Sequence, residues 1–289
     1  MSGHGGGWRE VGERVFRFRY RSMDLNVGAV LGDGEVLVVD TRSWAAEAEE
    51  LLADLRALTG LPHRQVVNTH AHFDHCFGNA TLRPAAVWGH RRCIENLRTR
   101  GEEQRHATMR GMPDVAGALA AVRIDPPDRA VDDGGATLDV GGRRVELRFC
   151  GRGHTDNDLV VLVPDVGVVF AGDLVEEGAP PSYEDAFPLE WPATVDRLLD
   201  LAPGIVVPGH GDVVGPDFVC RQRQELAAMA DLCGRVVTGE LPAAEALRRA
   251  PFPEDHARGA LERARVTRTL SARAAWRAGA AAPGRARPG

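Results

Sequence analysis

The sequence contains no lysine, since all 35 of its basic residues are arginine. This absence excludes mechanisms that need a lysine amine, such as Schiff-base formation or proton abstraction by lysine. With 41 acidic residues against those arginines, the formal net charge is −6. The chain therefore lacks the basic excess that would attract nucleic acid or an acidic membrane surface, and we expect neither partner.

Long apolar runs are also missing, because a transmembrane helix needs roughly 20 consecutive apolar residues and no segment approaches that length. The start, MSGHGGGWRE, has neither the basic region nor the apolar stretch of a secretory signal. The five cysteines are odd in number and form no CxxC pair, which argues against a disulfide framework. Together these absences predict a cytoplasmic location.

What the sequence does contain is one pattern that occurs twice. Residues 26–40 and residues 158–173 each consist of two apolar segments around a turn, and they end in Asp40 and Asp173. Each pair is followed by a segment with apolar residues at helical spacing and then by a short apolar strand. The repeated order of strand, strand, helix and strand predicts a pseudo-symmetric α/β sandwich.

Histidine and aspartate side chains gather just beyond the apolar strands. They are His70, His72, Asp74 and His75 in NTHAHFDHCFGN, His154 in CGRGHTDND, Asp173 in FAGDL and His210 in VPGHGD. Residues at the ends of neighbouring strands can converge on one edge of a sheet. Neutral imidazole and carboxylate together suit zinc and similar ions, with a coordination position left open for water. The pattern therefore predicts a catalytic metal site.

These motifs resemble those of the metallo-β-lactamase superfamily over roughly residues 14–236. HAHFDH is similar to its HxHxDH signature, GHT to its third histidine motif, AGD to its bridging aspartate and PGHGD to its final histidine. The resemblance implies a four-layer αβ/βα sandwich that binds two zinc ions, with iron or manganese as alternatives. It implies one ion on His70, His72 and His154, a second on Asp74, His75 and His210, and Asp173 between them.

The same resemblance sets the expected organisation of the chain. Residues 14–236 would form the catalytic domain, with a helical insertion at about 91–128 that is either a lid over the site or a helical segment packed on one sheet. A helical C-terminal extension is expected over residues 237–280. Residues 1–13 and 281–289 are expected to be a flexible and a disordered tail.

The expected activity is metal-dependent hydrolysis of a small ester, thioester or lactone. A water that bridges two dications should be ionised near neutral pH and attack the carbonyl. Asp74 would orient this nucleophile and pass a proton to the leaving group. Tyr183 is a candidate substrate contact, although an ordinary packed tyrosine is the alternative, and Asp40 is expected to anchor a turn. With aspartate at position 173, the chain resembles glyoxalase II and related hydrolases, since many true β-lactamases carry cysteine or serine at this position.

Other functions stay open at this point. A persulfide dioxygenase with a single iron would use similar ligands, and a β-lactamase or a phosphodiesterase or nuclease would share the fold. The acidic balance and the lack of a basic arm disfavour the nuclease. The expected partner is a small-molecule substrate, and a homodimer is a further possibility.

Overall fold

A computed structural model describes the backbone of residues 7–280 and the side chains of residues 7–268. The predicted tail at 281–289 and the first six residues lie outside this range. The prediction that residues 1–13 form a flexible tail is wrong for its second half, because Arg9–Gly12 is a strand that pairs with Val15–Arg19. The Trp8 ring packs edge-on against Phe18 and so ties this segment to the core.

Two β-sheets form the centre of the protein. The first has seven strands in sequence order: β1 Arg9–Gly12, β2 Val15–Arg19, β3 Asn26–Leu31, β4 Val36–Val39, β5 His63–Val67, β6 Ala86–His90 and β7 Arg129–Val131. The second has the order β12-β11-β10-β9-β8, with β8 Ala136–Val140, β9 Arg143–Phe149, β10 Leu159–Val163, β11 Val168–Gly172 and β12 Ile205–Pro208.

The helices lie outside the sheets and in the long connections. They are α1 Ala45–Leu58, α2 Phe73–Cys76, α3 Asn79–Leu82, α4 Arg91–Gly111, α5 Ala116–Ala120, α6 Trp191–Leu199, α7 Pro216–Thr238, α8 Ala243–Arg249 and α9 Glu254–Ala280. Short 3-10 helices span Ser22–Asp24 and Pro113–Val115. Across residues 7–280, no helix combines the length and the apolar character that a membrane crossing requires.

The predicted internal repeat is confirmed in the sheet topology. In the first half, β3 and β4 form an antiparallel pair, α1 follows, and β5 returns parallel to β4. In the second half, β10 and β11 form the antiparallel pair, α6 follows, and β12 returns parallel to β11. Parallel neighbours need a long crossover connection, which a helix supplies in both halves, because such strands cannot be joined by a tight turn.

The layers follow the alternation of side chains along the strands. Leu37 and Val39 of β4 face the other sheet and join Val161 and Phe170 in a shared core. The opposite face of the first sheet packs on Leu51 and other apolar residues of α1. The opposite face of the second sheet packs on α6 to α9, in a core that includes Trp191. This order of helix, sheet, sheet and helix is the predicted αβ/βα sandwich.

The predicted insertion at about 91–128 contains two helices, α4 and α5, with the break at Gly111-Met112-Pro113. Leu97 of α4 and Leu119 of α5 are buried in one apolar cluster with Ala71 and Phe77. Gln104 of α4 also donates a hydrogen bond from Nε2 to the carbonyl oxygen of Ala71 at 3.1 Å. The insertion therefore packs on the segment that carries His70 to His75.

Candidate metal centre

Strand direction brings the predicted ligands to one edge of the sandwich. His154, Asp173 and His210 follow β9, β11 and β12, and these three strands run in the same direction because β10 is antiparallel to both β9 and β11. The loop after β5 reaches the same edge from the other sheet, since the carbonyl oxygen of Thr69 accepts a hydrogen bond from the amide of Leu159 at 2.7 Å. All seven predicted residues therefore meet.

Three histidine rings form the first group of candidate ligands. Nδ1 of His72 lies 3.0 Å from Nε2 of His70 and 2.8 Å from Nε2 of His154. The rings stand nearly perpendicular to one another, with interplanar angles of 80° to 85°. Three nitrogens thus point at one place between the rings, with Asp173 completing the group.

Asp74, His75 and His210 form the second group. Nε2 of His75 lies 3.4 Å from Nε2 of His210, and Oδ2 of Asp74 lies 3.6 Å and 3.4 Å from these two atoms. Asp173 lies between the two groups. Its Oδ1 is 3.3 Å from Nε2 of His75, while its Oδ2 is 3.4 Å from Nε2 of His154.

Asp173 is the strongest sign that a cation belongs here. Its side chain is only 7% exposed. Oδ1 accepts no hydrogen bond from the part of the chain that the structure describes, because Nε2 of His75, although 3.3 Å away, is not aligned to donate one. A buried carboxylate oxygen without a donor is costly unless a positive charge faces it. Gly209 leaves room for this oxygen, because a Cβ at position 209 would lie 1.8 Å from it.

The spacing of the donor atoms fits a metal ion. A tetrahedral zinc ion with bonds of about 2.0–2.1 Å places its ligand atoms about 3.3 Å apart. The donor atoms of each group lie within 4.8 Å of one another, and the measured separations between 2.8 and 3.6 Å bracket the tetrahedral value. Imidazole and carboxylate are also the ligand types that zinc prefers.

The remaining nitrogens of four histidines are held by the protein. His70 Nδ1 lies 3.1 Å from Oγ1 of Thr69, and His75 Nδ1 lies 2.8 Å from Oδ2 of Asp40. His210 Nδ1 lies 2.7 Å from the carbonyl oxygen of Met23. His72 Nε2 lies 3.1 Å from Oδ1 of Asp185. Such partners fix the orientation of a metal-binding imidazole and select its tautomer.

Sequence reasoning missed Asp185 and Glu176. Asp185 belongs to the connection between β11 and α6, and nothing in its spacing distinguishes it from the acidic residues around it. Glu176 is buried, with Oε1 3.5 Å from Nδ1 of His154. Asp40, expected to anchor a turn, does so by accepting hydrogen bonds from the amide and hydroxyl of Thr69, each at 2.8 Å, and it also orients His75.

The carboxylates give the centre a strong preference for positive charge. Burial lowers the pKa of His72, but the carboxylates of Asp185, Asp74 and Asp173 together outweigh burial and raise that pKa to about 9. Burial likewise opposes charge on His210, yet Asp173 raises the pKa of His210 to about 10. For His154 burial dominates and lowers the pKa to about 4. The same fields favour a metal ion between the rings, and metal binding would displace the protons.

Tyr183 lies in the core and not among the metal-ligand candidates. Its residue is 5% exposed, and its ring packs on Trp191 and Phe252 with centroid distances of 5.6 Å and 6.3 Å. Burial also raises the pKa of its hydroxyl. This placement matches the packed alternative, and it gives the hydroxyl no exposed surface with which to contact a substrate.

The family model described as Metallo-beta-lactamase superfamily matches residues 24–210, which include all seven candidate ligands. The chain belongs to the metallo-beta-lactamase superfamily. The match ends at His210, so the superfamily model includes β3 to β12 but not helices α7 to α9.

The names of similar proteins point to different substrates. The chain is 27% identical over 192 residues to a metallo-beta-lactamase type 2 of Bacillus cereus, which covers 64% of this chain and 67% of the relative. It is also 27% identical over 188 residues to an atrochrysone carboxyl ACP thioesterase of Aspergillus fumigatus, which covers 64% of this chain but 50% of that protein.

Solved structures share the superfamily fold at lower identity. The crystal structure of the metallo-beta-lactamase FIM-1 from Pseudomonas aeruginosa in its mono-zinc form aligns with a TM-score of 0.61 and 19% identity, over 78% of this chain and 96% of that one. A metallo-beta-lactamase from Pontibacter korlensis aligns with a TM-score of 0.61 and 21% identity, over 77% and 99% of the two chains. At these identities the likeness concerns the fold.

Proposed function

We propose that this member of the superfamily is a zinc-dependent hydrolase of a small ester, thioester or lactone. The observation that carries the proposal is the pair of donor groups joined by Asp173, whose buried Oδ1 has no hydrogen-bond donor among the described residues. His70, His72 and His154 would hold one ion and Asp74, His75 and His210 the other. Two bound dications would polarise a carbonyl group and lower the pKa of a coordinated water to about 7.

The residues of the chain have separate tasks in this proposal. Asp173 would balance charge between the two groups, because its two oxygens face histidines of both. Asp74 faces His75 and His210 through Oδ2. We assign its other oxygen, Oδ1, the role of accepting a proton from the attacking water and passing it to the leaving group, a role that carboxylates commonly take in hydrolysis.

The choice of zinc has two supports. The donor set of imidazoles and carboxylates suits zinc better than magnesium or calcium, which prefer oxygen ligands. The Pseudomonas aeruginosa structure with the same fold is described as a mono-zinc form. Iron or manganese could use the same ligands, and a single iron would favour the persulfide dioxygenase alternative.

One residue and one relative support the preference for esters, thioesters or lactones. Position 173 carries aspartate, as in glyoxalase II-like hydrolases, where many β-lactamases have cysteine or serine. One relative that matches 64% of the chain is named as a thioesterase.

A second candidate function is β-lactam hydrolysis. It is favoured by the 27% identity over 192 residues to the Bacillus cereus metallo-beta-lactamase type 2. The absence of lysine argues against it only weakly, because arginine can also bind a ring carboxylate.

Metal analysis of the purified protein, together with a panel of thioester, lactone, β-lactam and phosphodiester substrates, tests both proposals. We expect close to two equivalents of zinc and a higher kcat/KM for a thioester or lactone than for any β-lactam. An excess of iron over zinc would point to the dioxygenase. A penicillin or cephalosporin with the highest kcat/KM of the panel would replace the leading proposal by the second.

A further inference from the structure

Helix α9 lies outside the part of the chain that the superfamily model matches. It nevertheless contacts the loop before α6 whose Asp185 lies beside His72. The contact is made by Arg263, a half-buried residue of this helix. Arg263 donates a hydrogen bond from Nε to the carbonyl oxygen of Ala186 at 3.0 Å and another from a terminal nitrogen to the carbonyl oxygen of Asp185 at 2.7 Å. One guanidinium thus holds two consecutive peptide groups.

One face of helix α9 is packed in the core, which fixes the position of this contact. Ala257, Ala260, Leu261 and Ala264 lie on one face of α9 and are at most 3% exposed. They belong to the same core cluster as Trp191, which packs against His154 with a ring-centroid distance of 5.7 Å. Arg263 therefore extends from a helix whose position is fixed by packing, and a rigid donor pair transmits that position well.

The loop at the other end of the contact leads directly to the three-histidine group. The side chain of Asp185 lies 3.1 Å from Nε2 of His72, and the opposite nitrogen of the same ring faces Nε2 of His70 at 3.0 Å. Asp185 remains 32% exposed, so packing alone does not fix its carboxylate. The backbone contacts of Arg263 restrict where that carboxylate can lie.

A second contact limits how much Arg263 contributes. The amide of Phe187 donates a hydrogen bond to the carbonyl oxygen of Gly153 at 2.8 Å, which ties the same loop to the residue before His154. Removing Arg263 should therefore loosen the Asp185 carboxylate without releasing the loop altogether. The effect should be at the lower end of the range for outer partners of metal ligands.

We propose that Arg263 is a positioning residue, through which helix α9 sets the metal affinity of the group formed by His70, His72 and His154. Arg263 donates hydrogen bonds to the backbone carbonyl oxygens of Asp185 and Ala186, and the Asp185 carboxylate orients the ring of His72. This inference rests on the proposed function because it requires an ion in the three-histidine group. Loss of such an outer partner typically lowers metal affinity 10- to 100-fold, and we expect a loss of about tenfold for Arg263.

The test is a chelator competition with Zn²⁺ on the full chain, which gives the affinity of each binding step. His154→Ala identifies the step that belongs to the three-histidine group. Arg263→Met keeps an apolar stem but removes the donors, and it should weaken this step about tenfold. The other step should change by less than about twofold, because Asp185 contacts His72 and no residue of the second group.

Arg268→Met is the matched control. Arg268 lies on the same helix and donates to the carbonyl oxygen of Val237 at 2.7 Å, away from the Asp185 loop. Both zinc affinities should be unchanged in this variant. An equal loss in Arg263→Met and Arg268→Met would mean that the helix acts only through general stability and would overturn the proposal.

A double variant tests the route through Asp185. In the Asp185→Ala background the carboxylate is absent, so Arg263→Met should cause no further loss of zinc affinity. A full tenfold loss in that background would contradict the proposed route. If Arg263→Met does not fold, Arg263→Lys keeps the charge and one donor nitrogen in place of the two that Arg263 uses, and it should show a smaller loss.

The outcomes separate this inference from the proposed function. Wild-type protein that binds two zinc ions and hydrolyses a thioester, combined with an unchanged Arg263→Met variant, would overturn the role of Arg263 alone. Wild-type protein without a measurable zinc step assigned to the three-histidine group would overturn both.

Discussion

Asp40 and Asp173 occupy equivalent places in the two repeats, yet their environments differ. Each follows the second strand of an antiparallel pair, β4 or β11, and each is buried. Asp40 accepts hydrogen bonds from the amide and hydroxyl of Thr69 and also contacts His75, all at 2.8 Å. Asp173 has a buried Oδ1 with no hydrogen-bond donor in the described chain.

The loops that follow the two repeats explain the difference. The loop after β5 and helix α2 carry four candidate ligands, and one of them, His75, lies between Asp40 and the centre of the site. The loop after β12 supplies only His210. Asp173 can therefore face the histidines directly, whereas Asp40 contacts the centre only through His75. The same position at a strand end provides a candidate metal ligand in one repeat and orients a candidate ligand in the other.

The largest effect should come from Asp173→Asn. Asparagine keeps the shape but removes the negative charge that faces histidines of both groups. We expect the affinity for both ions to fall by more than the roughly 10- to 100-fold that an outer partner contributes. Metal content after gel filtration and chelator competition measure this. Retention of two metal equivalents at wild-type affinity would show that Asp173, like Asp40, is not a metal ligand.

Asp74→Asn tests whether the loop of the first repeat also supplies the reactive group. Turnover should fall by at least about a hundredfold, in the range typical of general acid and base residues. KM should change less, because the substrate does not depend on this proton for binding. Steady-state kinetics with matched metal analysis measure both. Near-normal turnover at full metal occupancy would remove Asp74 from the proton-transfer role.

His210→Ala should reduce the metal content from about two equivalents toward one, because the second group then keeps only Asp74 and His75 of its own. His154→Ala should weaken the other ion instead, since it leaves two neutral imidazoles and Asp173. Metal analysis of the two variants side by side makes the comparison. If His210→Ala retains both ions, the second repeat supplies no ligand beyond Asp173.

Asp40→Asn should have the smallest effect of the four. An amide has one oxygen for the two Thr69 donors and His75, so His75 loses its partner. The affinity of the second group should fall about 10- to 100-fold, and the first group should lose less, because Asp40 reaches its His70 only through Thr69. Stepwise zinc titration distinguishes the two. A loss in the three-histidine group of the same size would mean that Asp40 supports the fold and not one ligand.

The features that the sequence did not reveal have a common physical origin. The predicted flexible tail contains β1, and Trp8 beside it donates a hydrogen bond from its indole nitrogen to the carbonyl oxygen of Asp54 at 2.9 Å, 46 residues along the chain. Tyr183 was a candidate substrate contact, but the path of the chain places its ring against Phe252 of the C-terminal region. Asp185 showed no motif. Each case depends on a contact between residues far apart in the chain, which local patterns do not record.

Periodicity and residue chemistry are local properties, so they were enough to predict the two repeats, the strands and helices that form them, and the seven candidate ligands. Contacts between distant parts of the chain place Asp173 at the site and Asp40 behind His75, and they bring Asp185 and Arg263 to His72. These roles depend on which side chains meet across sheets and helices. That meeting is fixed by the packing of the whole core and not by the residues' neighbours in sequence.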